Sequence, residues 1–259
     1  MDLGIQGKRA IVCASSRGLG KACALALAEE GACLVVNGRD EAALQETAEQ
    51  IRRSTGADVT AVAADINTSE GQTLLLEACP EPDILVNNNG GPPFRDFRGL
   101  DREALVAGLT MNMLTPIELI QRVIDPMVSR GFGRIVNITS ISVKMPLAGL
   151  DLSSGARAGL TAFMAGVART VVDKNVTINN IMPGYFDTDR LRKGFAATAK
   201  REGISKEQAA QKWADEVPAK RFGIPTELGH ACAFLCSTHA SYITGQNILL
   251  DGGLFPSAF

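Results

Sequence analysis

Ala14-Ser15-Ser16-Arg17-Gly18-Leu19-Gly20 leads out of an apolar segment that begins at Arg9 and into a helical pattern at Lys21. Glycines at such a turn let the backbone approach a pyrophosphate closely. The helix that follows offers free N–H groups and the positive end of its dipole. Alone, a glycine pair before a helix is a weak signal, because tight turns use it with no ligand present. Its weight comes from what lies on either side.

Outward from that turn, short apolar runs alternate with longer helical patterns. Arg9 to Ala14, Cys33 to Val36, Val59 to Ala63, Ile84 to Val86, Arg134 to Ile138, Thr177 to Ile181 and Asn247 to Leu250 read as buried strands. Between them Gly20–Glu30, Glu41–Ser54, Arg102–Ser129 and Gly155–Val172 read as helices. Near-continuous apolar character in runs this short suits a parallel sheet covered on both faces. The expected fold class is therefore α/β: a Rossmann-type doubly wound parallel sheet of about seven strands with helices on both faces. The 259 residues fit one such domain spanning the whole chain. The polar helical segment Thr188 to Val217, inserted past the carboxyl end of the sixth strand, is where a substrate lid belongs.

Composition narrows the function classes. The chain is 46% hydrophobic and 21% charged, with a net charge of −2 and scattered basic residues, so neither nucleic acid nor a membrane surface is an expected partner. No signal-like start is visible at Met1 to Lys8 and no apolar run approaches bilayer length, which predicts a cytoplasmic protein. The six cysteines lack zinc-ligand spacing and read as structural thiols, so no metal is expected. With two histidines, both near the C-terminus, a Ser-His-Asp hydrolase is poorly supported.

Several motifs in order resemble those of the short-chain dehydrogenase/reductase superfamily, and in particular 3-oxoacyl carrier-protein reductases. The opening turn is similar to that group's G-x-x-x-G-x-G, with Ala14 in place of the first glycine. Asn87-Asn88-Asn89-Gly90 resembles N-N-A-G, with Asn89 for alanine. Ile243-Thr244-Gly245-Gln246 leading to Asp251-Gly252-Gly253 resembles the C-terminal strand signature. The resemblance spans roughly Gly7 to Gly253. It implies a nicotinamide dinucleotide held by Ser15, Ser16, Arg17, Gly18, Leu19 and Gly20, by Asn37 and Arg39, and by Asp65 and Ile66 beside the adenine. Asn89, Gly90, Pro183, Gly184 and Thr188 would lie toward the nicotinamide. An NAD enzyme of this fold places a carboxylate at the tip of the second strand. Here that tip reads Asn37-Gly38-Arg39, and Arg17 faces it from the glycine turn, so NADP(H) is favoured over NAD(H): two guanidiniums suit a 2′-phosphate.

At the catalytic end the resemblance breaks. Asn112 matches the superfamily's asparagine and Ser140 its serine, which implies a carbonyl or alcohol substrate. In the Y-x-x-x-K motif, however, Ser153 stands for tyrosine and Arg157 for lysine. A phenol of pKa about 10 can be drawn toward neutrality by a neighbouring cation, and an aliphatic hydroxyl cannot follow. Arginine stays protonated and passes no proton, although it can hold the cofactor ribose or an anionic substrate. Losing a positioned proton donor typically costs about a hundred- to ten-thousand-fold in rate. Lys144 and Tyr185 are candidate replacements, and Ser142 and Ser153 candidate hydrogen-bond donors.

The leading expectation is an NADP(H)-dependent oxidoreductase with an altered proton donor. Alternatives are an NADP-binding pseudoenzyme or regulatory subunit, or a non-redox lyase similar to halohydrin dehalogenases. Those enzymes keep the tyrosine and give up the glycine turn, the reverse of this chain. Small residues on one helix (Gly155, Ala158, Gly159, Ala162, Ala165 and Gly166) permit close helix approach. With the resemblance they imply a homo-oligomer, dimer or tetramer, and the apolar tail Leu254 to Phe259 would also suit a partner. Arg190, Arg192, Lys193, Lys200 and Arg201 in the lid hint at an acidic ligand.

Overall fold

A computed structural model describes residues 1–258; Phe259 of the apolar tail lies outside them. Among the described residues, β1 (Arg9–Val12), β2 (Cys33–Gly38), β3 (Val59–Ala63), β4 (Ile84–Asn87), β5 (Gly133–Ile138), β6 (Val176–Pro183) and β7 (Asn247–Leu250) form one sheet. Its order is β3-β2-β1-β4-β5-β6-β7, with every pairing parallel. The order reverses between β1 and β4, and the carboxyl ends of those two strands open a crevice there, where ligands of such sheets bind.

Helices cover both faces. On one side α1 (Gly18–Glu29), α2 (Glu41–Thr55) and α9 (Pro225–Cys236) pack on Ala10, Val12, Leu34, Val36 and Val86. On the other, α3 (Ser69–Ala78), α5 (Thr115–Arg130) and α6 (Asp151–Val171) pack on Ile11, Val35, Leu85, Ile135 and Ile178. Successive strand residues alternate between the two cores because side chains along a strand point to opposite faces. The helices α7 (Asp189–Glu202) and α8 (Lys206–Glu216) fold on each other around a small separate cluster of Phe195, Ala199 and Ala209, with Trp213 and Phe222 against it. This is the segment read as a lid.

Three departures from the sequence reading have a clear local reason. β1 stops at Val12, because Ala14 turns into the left-handed region at φ 45° and breaks the extended run. The helix read as Arg102–Ser129 is α4 (Arg102–Leu109), a π-helical turn over Thr110–Leu114, and then α5. Such turns concentrate at functional sites, and this one carries Asn112. α6 starts at Asp151, whose carboxylate suits the positive end of the helix, so Ser153 and Arg157 share its first turns. The run Arg102–Arg130 is also long and apolar enough, by length and composition, to cross a membrane, which corrects the reading that no stretch approaches that length. In the fold, Leu119, Ile120, Val123 and Met127 of that run are buried in the core. All six cysteines are free thiols, and no cluster suited to a metal occurs among the described residues.

Candidate functional site

The crevice is built on a polar ladder that apolar patterning does not reveal. Asn87, Asn137, Asn180 and Asn247 sit in register on β4, β5, β6 and β7. Their amides are linked strand to strand at 2.9, 2.9 and 2.8 Å. The chain ties four neighbouring strands side by side, and its buried head, Asn87 Oδ1, has no partner among the described residues. Asn87, Asn137, Ile138 and Arg157 line one small cavity there.

The glycine turn is held tightly. A Cβ on Gly20 would lie 2.4 Å from the Ala14 carbonyl oxygen and 2.7 Å from Asn88 Nδ2, so only glycine fits. Asn88 Nδ2 also donates to the Ala14 carbonyl at 3.1 Å. Ala14 therefore adopts the conformation of the glycine it replaces, at a steric cost of about 1–2 kcal/mol for an L-residue. No side chain caps α1 at Arg17 and no acid lies in its first turn, which leaves that end open to an anion.

Some expected contacts turn out to be internal. Both donors of Ser15 are committed, the hydroxyl to the Val12 carbonyl at 2.7 Å and the amide to the Asn37 carbonyl at 2.7 Å. Asn37 spends its amide on the Val62 and Ala64 carbonyls at 3.0 and 3.1 Å. Ile66 is buried in the core on one face of the sheet, and Leu19 packs against the core on the other. Of these four residues expected at the cofactor, Ser15, Asn37 and Ile66 are buried and Leu19 is partly buried. Ser16 fixes α2 through a 2.8 Å bond from Thr47 Oγ1 to its carbonyl.

Arg17 and Arg39 remain at the surface, near the tip of β2. Arg17 Nη2 pairs with Asp40 Oδ2 at 2.6 Å, and Arg39 Nη1 lies 3.8 Å from Asp65 Oδ2. Asp40 in turn caps α2 through the Ala43 amide at 3.1 Å. Asp65 is also tied down by Asn67, which donates to its Oδ1 from the side-chain amide at 2.7 Å. Both carboxylates thus hold guanidiniums, rather than standing free for a ribose hydroxyl.

At the catalytic end, four expected residues join in one directional chain. Arg157 Nε donates to Ser153 Oγ at 3.2 Å, Ser153 Oγ donates to Asn112 Oδ1 at 3.1 Å, and Asn112 Nδ2 donates to the Gly90 carbonyl at 2.9 Å. Arg157 Nη1 also donates to the Ile138 carbonyl at 2.7 Å. The chain ends on a backbone acceptor, so the Ser153 proton points at Asn112. Burial, with the charge of Arg190 second, pulls the Arg157 pKa down to about 10; the group is still a cation at neutral pH. Asn89 anchors the π-turn by donating to the Met111 carbonyl at 3.1 Å and to Asn67 Oδ1 at 2.7 Å, bonds that the superfamily's alanine cannot make. Ser140 accepts the Ser142 amide at 3.1 Å, and its hydroxyl proton has no acceptor among the described residues.

Neither candidate replacement joins that chain. Lys144 Nζ lies 5.3 Å from the centroid of the Phe255 ring, against the tail. Tyr185 stacks on Trp213 at 5.2 Å, and burial first, then the charge of Glu216, raises its phenol pKa. A raised pKa makes a poorer acid. Thr188 caps α7 and approaches the glycine turn, its methyl 3.7 Å from a Cβ placed on Gly18. Pro183 ends β6, and Gly184 is required because a Cβ there would sit 2.8 Å from Asp251 Cβ. Gly90 has nothing within 4 Å of such a Cβ, so space is open above it.

Residues 13–255 match the family described as Enoyl-(Acyl carrier protein) reductase. The chain belongs to the short-chain dehydrogenase/reductase superfamily. It is 33% identical over 255 residues to the NADPH-dependent reductase BacG of Bacillus subtilis (strain 168), covering 96% of this chain and 98% of that one. To the 3-oxoacyl-[acyl-carrier-protein] reductase FabG of Aquifex aeolicus (strain VF5) it is 30% identical over 259 residues, covering 98% and 100%. Among solved structures, L-sorbose reductase from Gluconobacter frateurii, complexed with NADPH and L-sorbose, superposes with a TM-score of 0.94 at 32% identity, covering 99% and 100%.

Within this superfamily member, sequence reasoning passed over Asn67, the asparagine ladder and the reach of Arg190, and quoted Asn88 only as part of a motif. Asparagines within or at the ends of buried or partly buried strands were the available signal. Nothing local marks Arg190, whose guanidinium reaches the Gly91 and Pro92 carbonyls at 3.3 and 3.4 Å from across the crevice.

Proposed function

We propose that the chain is an NADP(H)-dependent oxidoreductase acting on a carbonyl/alcohol pair, with the tyrosine's task redistributed. The observation that carries this reading is the open, uncapped N-terminus of α1 behind its glycine turn, with Arg17 and Arg39 beside it and each held by a carboxylate. Those guanidiniums suit a 2′-phosphate, and the free helix end suits a pyrophosphate. NADPH dependence in BacG and bound NADPH in the sorbose reductase support the same choice.

Bound NADPH would supply hydride. Ser140, with its proton uncommitted, would donate to the substrate oxygen. Arg157, a buried cation joined to Ile138 two residues before Ser140, would stabilise negative charge developing there. Ser153 would hold Arg157 and Asn112 in place, and the proton would come from water. The α7–α8 segment would serve as the lid over a one-domain scaffold. The exposed Leu105, Val106, Leu109, Leu114 and Phe163 on α4 to α6 support assembly into a dimer or tetramer. Gly155 and Gly166 are open on α6, whereas Gly159 already packs on Met113.

The test follows NADPH oxidation with a panel of ketones, oxo acids and 3-oxoacyl thioesters. Turnover abolished by Ser140→Ala and untouched by Tyr185→Phe is the expected result. Tight NADPH binding with no turnover on any substrate would sink the reductase reading in favour of a cofactor-binding pseudoenzyme.

A further inference from the structure

Two guanidiniums, those of Arg157 and Arg190, reach the catalytic end of the crevice, and the charge of one is felt at the other. Arg157 is 9% exposed, and its donors described above go to neutral oxygens, those of Ser153 and Ile138. Among the described residues Arg190 makes only the two long bonds to Gly91 and Pro92. Its attachment point is next to that of the Arg157 chain, because Asn112 donates to the carbonyl of Gly90 at 2.9 Å. The loop from Gly90 to Pro92 thus holds Arg190 directly and is joined to Arg157 through Ser153 and Asn112.

The nearest acids in sequence are already taken. Asp187 accepts Arg192 Nε at 2.9 Å and Nη2 at 3.0 Å, and Asp189 lies 3.8 Å from Arg192 Nη1. Among the described residues neither Arg157 nor Arg190 forms an ion pair. Burial lowers the pKa of both, and the charge of Arg190 further lowers that of Arg157. Like charges drawn out of water are unfavourable unless an opposite charge joins them. A planar oxyanion offers two acceptor atoms to guanidinium forks and relieves both groups at once.

We propose that Arg157 and Arg190 together recognise a carboxylate carried by the substrate beside its reacting carbonyl. The inference rests on the oxidoreductase reading of the same site and narrows it to an oxo acid and the matching hydroxy acid. Neutral ketones and quinones lack the group this pair would hold. A phosphate of the cofactor offers similar chemistry, and the arms of the test separate the two sources.

The probes are acetoacetate, its methyl ester and NADPH, each titrated calorimetrically into the full chain, the first two with and without saturating NADP. The acid should bind about 10- to 100-fold more tightly than the ester, the range expected for hydrogen bonds to a charged group. Arg190→Gln should abolish that preference and Arg190→Lys should restore part of it. Arg53→Gln, on the exposed last turn of α2, should leave it unchanged, and Arg190→Gln should move the Kd for NADPH by less than about twofold. Equal affinity for acid and ester, no acid binding at millimolar concentrations, or a preference that survives Arg190→Gln would overturn the proposal. So would weakened NADPH binding in Arg190→Gln with the acid-to-ester ratio unchanged, which assigns the arginine to the cofactor. Acid preference in a chain that binds no NADPH would leave the anion site standing and sink the reductase reading alone.

Discussion

Replacing Ser153 with alanine should damage stability far more than chemistry. Its hydroxyl accepts from Arg157 Nε at 3.2 Å and donates to Asn112 Oδ1 at 3.1 Å, and the residue is 5% exposed, so bulk water does not take its place. Truncation orphans one buried donor and one buried acceptor, at about 1–3 kcal/mol each, or roughly 2–6 kcal/mol together. For a chain of this size each kcal/mol shifts Tm by about 2–4 °C, which gives a fall of about 4–24 °C. Turnover at a temperature where the variant is folded should fall by no more than about tenfold, because the Ser153 proton points at Asn112 and not at substrate. Loss of an acid or base that acts in the transition state would instead cost about a hundred- to ten-thousand-fold. Thermal unfolding followed by circular dichroism, paired with NADPH oxidation, reads both effects. An unchanged Tm with a thousandfold loss of turnover would refute the closed-chain argument and make Ser153 the proton donor.

Arg17→Ser and Arg39→Ser should each weaken NADPH binding by about tenfold while leaving NADH unchanged, since only the 2′-phosphate distinguishes the two. Fluorescence titration measures this, and an equal loss for both nucleotides would disprove the assignment. The exposed apolar face on α4 to α6 predicts a dimer or larger on sizing, and elution as a monomer would refute it. Glu227 caps α9 through the Ile224 amide at 2.8 Å and pairs with Arg221 at 2.7 Å, the arginine first and that amide second lowering its pKa from 4.5 to about 2. A folded-state pKa below the unfolded one means stability present above about 4.5 and lost as pH falls toward about 2. Acid unfolding curves of wild type and Glu227→Gln should therefore differ at neutral pH and converge below about 2.

Strand positions were legible from the sequence because burial on both faces demands continuous apolar runs, and β3 and β7 fall where the pattern puts them. The glycine turn was legible because Gly18 and Gly20 have few alternatives there. Gly18 has φ 57° and Gly20 touches the Ala14 carbonyl. Ser15, Asn37 and Ile66 were harder, since a motif shows which residues surround a ligand but not which way they face. Each of the three turned inward to satisfy the backbone or the core.

What the chain determined by itself was the parallel sheet, the turn at its first crossover, and the absence of a tyrosine where Ser153 stands. These follow from local rules of burial, backbone freedom and residue chemistry. Tertiary structure alone decided which way the Ser153 proton points, that Lys144 and Tyr185 stand apart from the Arg157 chain, and that Arg190 comes to lie near Arg157. Hydrogen-bond direction and long-range charge proximity depend on atoms contributed by segments far apart in sequence, such as Asn112 and Arg157 or Gly91 and Arg190. No local pattern encodes how such segments meet.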